Sequence, residues 1–306
     1  MRTRLVGVRV LNDIIKLLVI FSLVGLPIVA FSSCSSTDTI VTPSGSIVTK
    51  TKDLESFSSV ELAVDGTLVI EQGDKDSITI QTNENLMPLV TTDVSSGKLT
   101  IGFKEGYRVG DSEEDLGFRL VAKGLNSISN NTRLGSITAS GLHTEGLEIN
   151  LSNYGDISMD NLVVEGNLVI NSSSFGDMTT DNLVVTESLK INSNRIGGVT
   201  IQNVVAGEIT TEITDLGIVS LSGKADKQTI TSSGVGLYEA EGLESSQCTV
   251  EVNATTFHTD SPECRVSLNV SDSLDVRLNG DVDVCYKGNP QVTQEVSGNG
   301  TVKRIE

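Results

Sequence analysis

The chain has 306 residues, a formal net charge of −18, 4% aromatic residues and no Trp. That length allows one large domain or two ordinary ones, and the aromatic poverty excludes a core built on large ring anchors. The acidity excludes nucleic acid and bare anionic membrane surfaces as electrostatic partners.

In chain order, Arg2, Arg4, Arg9 and Lys16 precede an apolar run from Leu17 to Phe31, followed by Ser-Ser-Cys ending at Cys34. A basic n-region, a short apolar h-region and small residues describe a secretory signal over 1–33. The run is shorter than the roughly 18–20 residues of a spanning helix and contains Pro27, which argues against a retained transmembrane segment. The cysteine after two small residues resembles a bacterial lipobox, which implies lipidation of Cys34, cleavage just before it and a membrane anchor. Cleavage there leaves 18 basic and 39 acidic residues, a net charge of −21. Residues 34–52, rich in Ser and Thr with Pro43 and Gly45, read as a flexible tether.

From 53 onward the pattern is β. Val60, Leu62 and Val64 alternate with polar residues, as do Ile78 and Ile80, and Asp65-Gly66 and Gly73-Asp74 punctuate the runs. Residues 53–125 lack a strict period and read as the less regular N-terminal rungs and cap of the array over 126–306. Within them, 106–117 is acidic and turn-rich, a surface loop.

Residues 126–306 repeat. Gly155, Gly176 and Gly197 are 21 apart, as are Tyr154, Phe175 and Ile196. Asn150, Asn171 and Asn192 share that period, as do Asn161, Asn182 and Asn203. The glycine column extends through Gly135, Gly217 and Gly236 with gaps of 20, 21, 21, 20 and 19. A period near 20 signals a solenoid, and the Leu-x-x-Leu-x-Leu spine of leucine-rich repeats is absent. Ile157 and Met159 alternate with Asp156, Ser158 and Asp160, the period-two signature of a strand with one buried face. Short strands, small side chains and no helical period imply an all-β parallel β-helix of about 20–21 residues per rung, in which stacking buries what a single rung cannot. Both Asn columns fit turns between faces, where Asn tolerates left-handed geometry and its amide can bond the rung above. The glycine column is read as supplying positive φ before each strand.

Candidate chemistry is sparse. His143 and His258 are the two histidines, both in turn-like positions outside any catalytic motif. Asp156 and Asp177, and Asp160 and Asp181, are each one rung apart and would stack about 5 Å apart on the outer face. Solvated surface acids, a cation site, or a carboxylate pair for glycoside chemistry are the three readings of that spacing. The Gly-Gly-x-Gly-x-Asp calcium repeat is missing, and the ladder stops at Gly198 and Gln202. Cys264 and Cys285 are also 21 apart, so a disulfide and buried free thiols both stand as readings, with Cys248 the third mature cysteine. No zinc spacing, phosphate loop or dinucleotide fingerprint occurs, so no cofactor is expected.

The stretch "FSSVELAVDGTLVIEQGDKDSITIQTNENLMPLVTTDVSSGKLTI" resembles the opening of the head GIN domain, an auto-transporter adhesin type of domain in lipoproteins of Bacteroidetes-type bacteria. The ending "SLDVRLNGDVDVCYKGNPQVTQEVSGNGTVKRI" resembles that family's close, although Gly-Ser-Gly turns are fewer and Cys285 precedes Tyr286. The resemblance covers 53–306 and implies a right-handed parallel β-helix on a cell envelope, with no established activity. The expectation is therefore a lipid-anchored protein of the bacterial envelope, an outer-membrane lipoprotein, with a binding, adhesion or structural role toward a glycan or an envelope protein. The alternative is a polysaccharide lyase or hydrolase using outward carboxylates. A concave groove lined by carboxylates and aromatics would favour the enzyme; a flat face would not.

Overall fold

The computed structural model describes residues 38–110, 116–254 and 264–306. Cys34, His258 and the signal segment lie outside the described residues. Asp38–Glu306 forms a single compact unit that contains every described strand and one continuous apolar core.

The regular part is a β-solenoid of about eight turns and roughly 21 residues per turn, each turn having three sides. The turn that begins at Leu147–Asn153 shows the plan. That strand forms the first side, Asp156–Val164 supplies the second and, after a bend, the short third, and Leu168–Ser174 begins the next turn. Each side pairs in parallel with the same side of its neighbours, like residue on like: Asn150 on Asn171, Asp160 on Asp181, Leu162 on Leu183. Such stacking puts side chains of one type in columns, and the inward columns are aliphatic. Ile149, Ile170, Ile191, Thr211, Ile230, Val250 and Val276 line the first side, all buried. Ile157, Met178, Val199, Val219, Tyr238 and Val266 line the second, and Leu162, Leu183, Val204 and Leu243 the third. A buried Val, Leu or Ile contributes about 1.5–3 kcal/mol. A core this thin therefore holds only because neighbouring turns cover each other's edges.

The glycine column has a different cause from the expected one. Gly155, Gly176, Gly197, Gly217 and Gly236 do not adopt positive φ. A Cβ at Gly176, Gly197 or Gly236 would collide with the carbonyl oxygen of Gly155, Gly176 or Gly217 one turn away, and a Cβ at Gly155 or Gly217 with the side chains of Thr132 and Asn130 or of Ser193. The Asn columns also divide. Asn161, Asn182 and Asn203 have φ of 52°, 56° and 53° and make the bend between the second and third sides, as expected of Asn in a turn. Asn150, Asn171 and Asn192 are instead extended residues inside first-side strands. Their ladder is a side-chain one: Asn171 Nδ2 donates to Asn150 Oδ1 at 2.9 Å, and Asn192 Nδ2 to Asn171 Oδ1 at 2.7 Å.

At the N-terminal end, stacking order departs from chain order. Ser59–Leu62 pairs with Ser127–Asn130 on one edge and with Lys98–Phe103 on the other. Thr67–Gln72 likewise lies between Ser136–Ser140 and Leu116–Ala122. The parallel turn built from Lys98–Phe103 and Leu116–Ala122 is therefore outermost, and the chain passes back over the earlier turn to continue the stack. Antiparallel strands cover that end: Val90–Ser95 on Lys98–Phe103, Ser77–Asn83 on Leu116–Ala122, and Ile47–Asp53 on Ser77–Asn83. The tether expected over 34–52 is thus strand over Ile47–Asp53 and Thr39–Val41. The β-branched residues of Ile-Val-Thr-Lys-Thr-Lys-Asp suit an edge strand, and its two lysines protect that edge. The loop expected over 106–117 also contains strand, Tyr107–Val109 pairing with Thr39–Val41, and Leu116 begins another.

Candidate functional site: a groove across the third side

The bend from the third side back to the first varies in length. It holds two residues between Val185 and Ser188, then one between Ala206 and Glu208, Ala225 and Lys227, and Ser245 and Gln247. It returns to two between Val270 and Ser273. Three short bends between longer ones cut a notch, because the backbone there cannot reach as far out. Thr186, Gly207, Asp226, Ser246 and Ser271, the bend residues of five successive turns, all line the resulting open groove of about 860 Å³.

The groove has an apolar end and a polar end. Val184 and Val205 are exposed within it, beside Lys224, Glu244 and Asn269. Lys224 Nζ and Glu244 Oε2 are 3.3 Å apart with both side chains largely in solvent, a pair that orients groups rather than stabilising the fold. Beneath it runs a buried polar chain. Tyr238 Oη donates to Gln228 Oε1 at 2.8 Å, Gln228 Nε2 to Ser245 Oγ at 2.7 Å, and Ser245 Oγ to the Asn269 carbonyl at 3.2 Å. Tyr238 and Gln228 are fully buried, so each bond made here avoids the cost of an unmet polar group. This chain ties the groove's Ser245 and Asn269 to the core. Burial also drives the Tyr238 hydroxyl upward in pKa and pushes the nearby Cys248 thiol up to about 12. Both stay neutral at ordinary pH.

The residues singled out from the sequence lie elsewhere and are coil-to-coil fasteners. Asp156 Oδ1 accepts the Asp177 N–H and Asp177 Oδ1 accepts the Gly198 N–H, both at 2.8 Å. Asp181 Oδ1 accepts from the Asn182 N–H at 2.9 Å and from Asn203 Nδ2 at 2.7 Å; Asp160 Oδ1 accepts from Asn182 Nδ2 at 3.4 Å. Each carboxylate is thus engaged in holding the next turn. Among the described residues, no group of three or more His, Cys, Asp or Glu side chains is placed to hold a metal ion. His143 Nε2 lies 2.8 Å from Glu165 Oε1 on an exposed surface, while Gln72 brackets the His143 backbone with two hydrogen bonds. Cys264 and Cys285 form a disulfide with Cα atoms 5.7 Å apart, and Cys248 is a buried free thiol. The pair does not arise from same-column stacking, because Cys285 faces Ser267 in the sheet. Tyr154 and Phe175, by contrast, do stack, with ring centroids 4.8 Å apart and planes 13° from parallel.

The groove residues had one trace in the sequence. Turn length drops from 21 to 20 and then 19 after Gly197, where the bends shorten.

The family described as "Putative auto-transporter adhesin, head GIN domain" matches twice, over residues 56–174 and 167–290. The chain belongs to this family. The two matches overlap over 167–174 and both lie within the compact unit Asp38–Glu306. Similar crystal structures include a putative adhesin from Parabacteroides merdae, 20% identical, with a TM-score of 0.60 over 87% of this chain and 99% of that one. A putative adhesin from Parabacteroides distasonis is 19% identical with a TM-score of 0.57, covering 87% and 100%. A putative lipid binding protein from Parabacteroides distasonis is 13% identical with a TM-score of 0.58, covering 88% and 100%. At these identities the likeness is one of fold alone. No protein of curated function matches the sequence.

Proposed function

We propose that this head GIN domain protein is a lipid-anchored component of the bacterial cell envelope that binds an extended glycan along its third side. The groove carries this reading: an open channel crossing five turns, roughly 19 Å long at about 4.8 Å per turn, which suits a linear chain better than a compact molecule. Hydroxyls of Thr186, Ser246 and Ser271, the Asn269 amide and the Lys224–Glu244 pair offer donors and acceptors to sugar hydroxyls. Val184 and Val205 offer an apolar surface to the C–H faces. The lining contains carboxylates but no aromatic ring, so only half of the pattern expected of a carbohydrate-active enzyme is present. The binding reading accords with the adhesin description of the family. Anchoring rests on Cys34 after the basic and apolar signal pattern, and the reading takes the outer membrane as the anchored surface.

A glycan array probed with the unit 38–306 tests the groove. Hits that vanish in Val205→Asp and in Asn269→Ala, while His143→Ala binds normally, are expected. Hits indifferent to both groove changes would sink the assignment. Membrane fractionation tests the anchor: Cys34→Ala should leave the membrane fraction, and its retention through a carbonate wash would refute lipidation.

A further inference from the structure

The corner between the first and second sides carries a row that the groove does not use. Leu134, Tyr154, Phe175, Ile196 and Leu216 precede the column glycines on five successive turns, and each is 41–56% exposed. They make a straight apolar ridge roughly 19 Å long at the spacing of stacked turns. The rings of Tyr154 and Phe175 stack on each other and spend their faces on one another. Sugar C–H groups pack on ring faces, so a glycan gains little here. The carboxylates beside the ridge, Asp156, Asp177 and Asp215, are exposed, while Arg133 is held by Asp65 and Arg195 lies over the Phe175 ring. The strip is thus apolar along its crest and acidic at its flanks, which excludes an anionic surface as its partner.

The path of the chain selects what meets this crest. Thr39–Val41 pairs with Tyr107–Val109, and Asp38 lines one pocket with Asp65 and Arg133. Asp65 Oδ1 in turn accepts the N–H groups of Arg133 and Leu134, at 2.8 and 3.0 Å. The described chain therefore begins near the first ridge residue. Cys34 precedes Asp38 by four residues, which span at most about 14 Å. An acyl group on Cys34 would thus hold that end of the ridge close to a bilayer. The alternative seat, the N-terminal end of the solenoid, presents the edge strand Ile47–Asp53, whose exposed residues are polar or charged apart from Ile47. The corner presents five apolar side chains in line. We propose that the ridge is a membrane-seating surface: the anchored solenoid lies on its side on a zwitterionic lipid surface, with Leu134 through Leu216 entering the headgroup layer. This rests on the anchor reading above. Tyr154 suits that depth, having an apolar ring and a polar hydroxyl. Five side chains hold weakly by themselves, and the anchor supplies the local concentration at which they engage. In a three-sided turn the third side lies opposite the corner between the other two. The same seating therefore turns the groove away from the membrane, toward its ligand.

The chain has no Trp, so one introduced tryptophan is a sole reporter. The unit 38–306 with an added N-terminal cysteine is coupled to maleimide-bearing phosphatidylcholine vesicles; the native Cys248 is buried and does not compete. Leu134→Trp, Phe175→Trp, Leu216→Trp and, in the groove, Val205→Trp are compared with and without brominated acyl chains in the vesicle, their folding checked by circular dichroism. The three ridge variants should lose emission about twofold to the bromines, as side chains at the headgroup boundary do, and Val205→Trp should lose none. Mixing in an equal amount of phosphatidylglycerol should weaken the quenching, because it repels Asp156, Asp177 and Asp215. Quenching at Leu134→Trp alone would mean a solenoid standing on its end and overturn the proposal. No quenching at any ridge position would overturn it as well. A concentration-dependent blue shift of Phe175→Trp without vesicles, together with no quenching on them, would assign the ridge to a second copy instead. Failure of the anchor is read separately, from the Cys34→Ala fractionation, because the coupled tether does not use Cys34.

Discussion

Gly176→Ala tests the reason for the glycine column. Gly176 is not in the left-handed region, so its backbone conformation is open to alanine. Taken alone, the change would stabilise the fold by about 0.4–1 kcal/mol through the unfolded chain. Against this, the new Cβ collides with the Gly155 carbonyl oxygen and lies 2.7 Å from the Tyr154 oxygen. Backbone of the adjacent turn cannot rotate away as a side chain could. The two turns must part locally, at an overpacking cost of about 1–3 kcal/mol. The Asp177 N–H to Asp156 bond beside it is stretched, losing about 1 kcal/mol more. The net expectation is a loss of roughly 2 kcal/mol, which at 2–4 °C per kcal/mol lowers Tm by about 4–8 °C. Gly97→Ala supplies the contrast, since nothing lies within 4 Å of its Cβ position but its φ is +76°. Its conformational cost of about 1–2 kcal/mol arises without any collision. Differential scanning calorimetry of both variants, with Gly176→Ala repeated in a Tyr154→Ala background, separates the causes. The collision with backbone persists without the tyrosine ring, so the Gly176 loss should be unchanged there. A Tm for Gly176→Ala equal to or above the parent would refute the close-approach argument.

Asn171→Leu removes both ladder bonds of the central amide and its bond to Glu148 Oε1, and should cost about 1–2 kcal/mol, read by chemical denaturation. Reducing the Cys264–Cys285 bond reopens a loop with a sequence separation of 21, and Cys285→Ser should lower stability by about 3 kcal/mol on chain-entropy grounds; a thermal melt insensitive to dithiothreitol contradicts this. Cys248 has its folded pKa raised by burial from 9.0 to about 12, so its contribution to stability is present below pH 9 and is lost as pH rises from 9 toward 12. Parent and Cys248→Ala should therefore differ in stability less at pH 11 than at pH 8, and the native thiol should resist alkylation at pH 8.

The all-β solenoid, its period and its inward columns were legible in the sequence because stacking places identical chemistry at one spacing, as Ile157 over Met178 over Val199 shows. The ridge of Tyr154, Phe175 and Ile196 was visible for the same reason. Other features depend on contacts between residues far apart in the chain. Local pattern marks Asn150 and Asn161 alike, but only the path of the backbone makes one a strand residue and the other a bend. The glycines looked like turn residues; their true constraint is the close approach of other atoms to the Cβ position, which at Gly176, Gly197 and Gly236 is the carbonyl of another turn. The order of the N-terminal turns is unreadable locally, since each strand's hydrophobic alternation is satisfied by either neighbour. The groove arises from residues missing at three bends, and an absence leaves only a faint drift in spacing. Sequence thus determined which residues point inward and how often, because that follows from period and polarity. Tertiary structure decided which turns touch and where the surface hollows, because those are set by how far each backbone bend reaches.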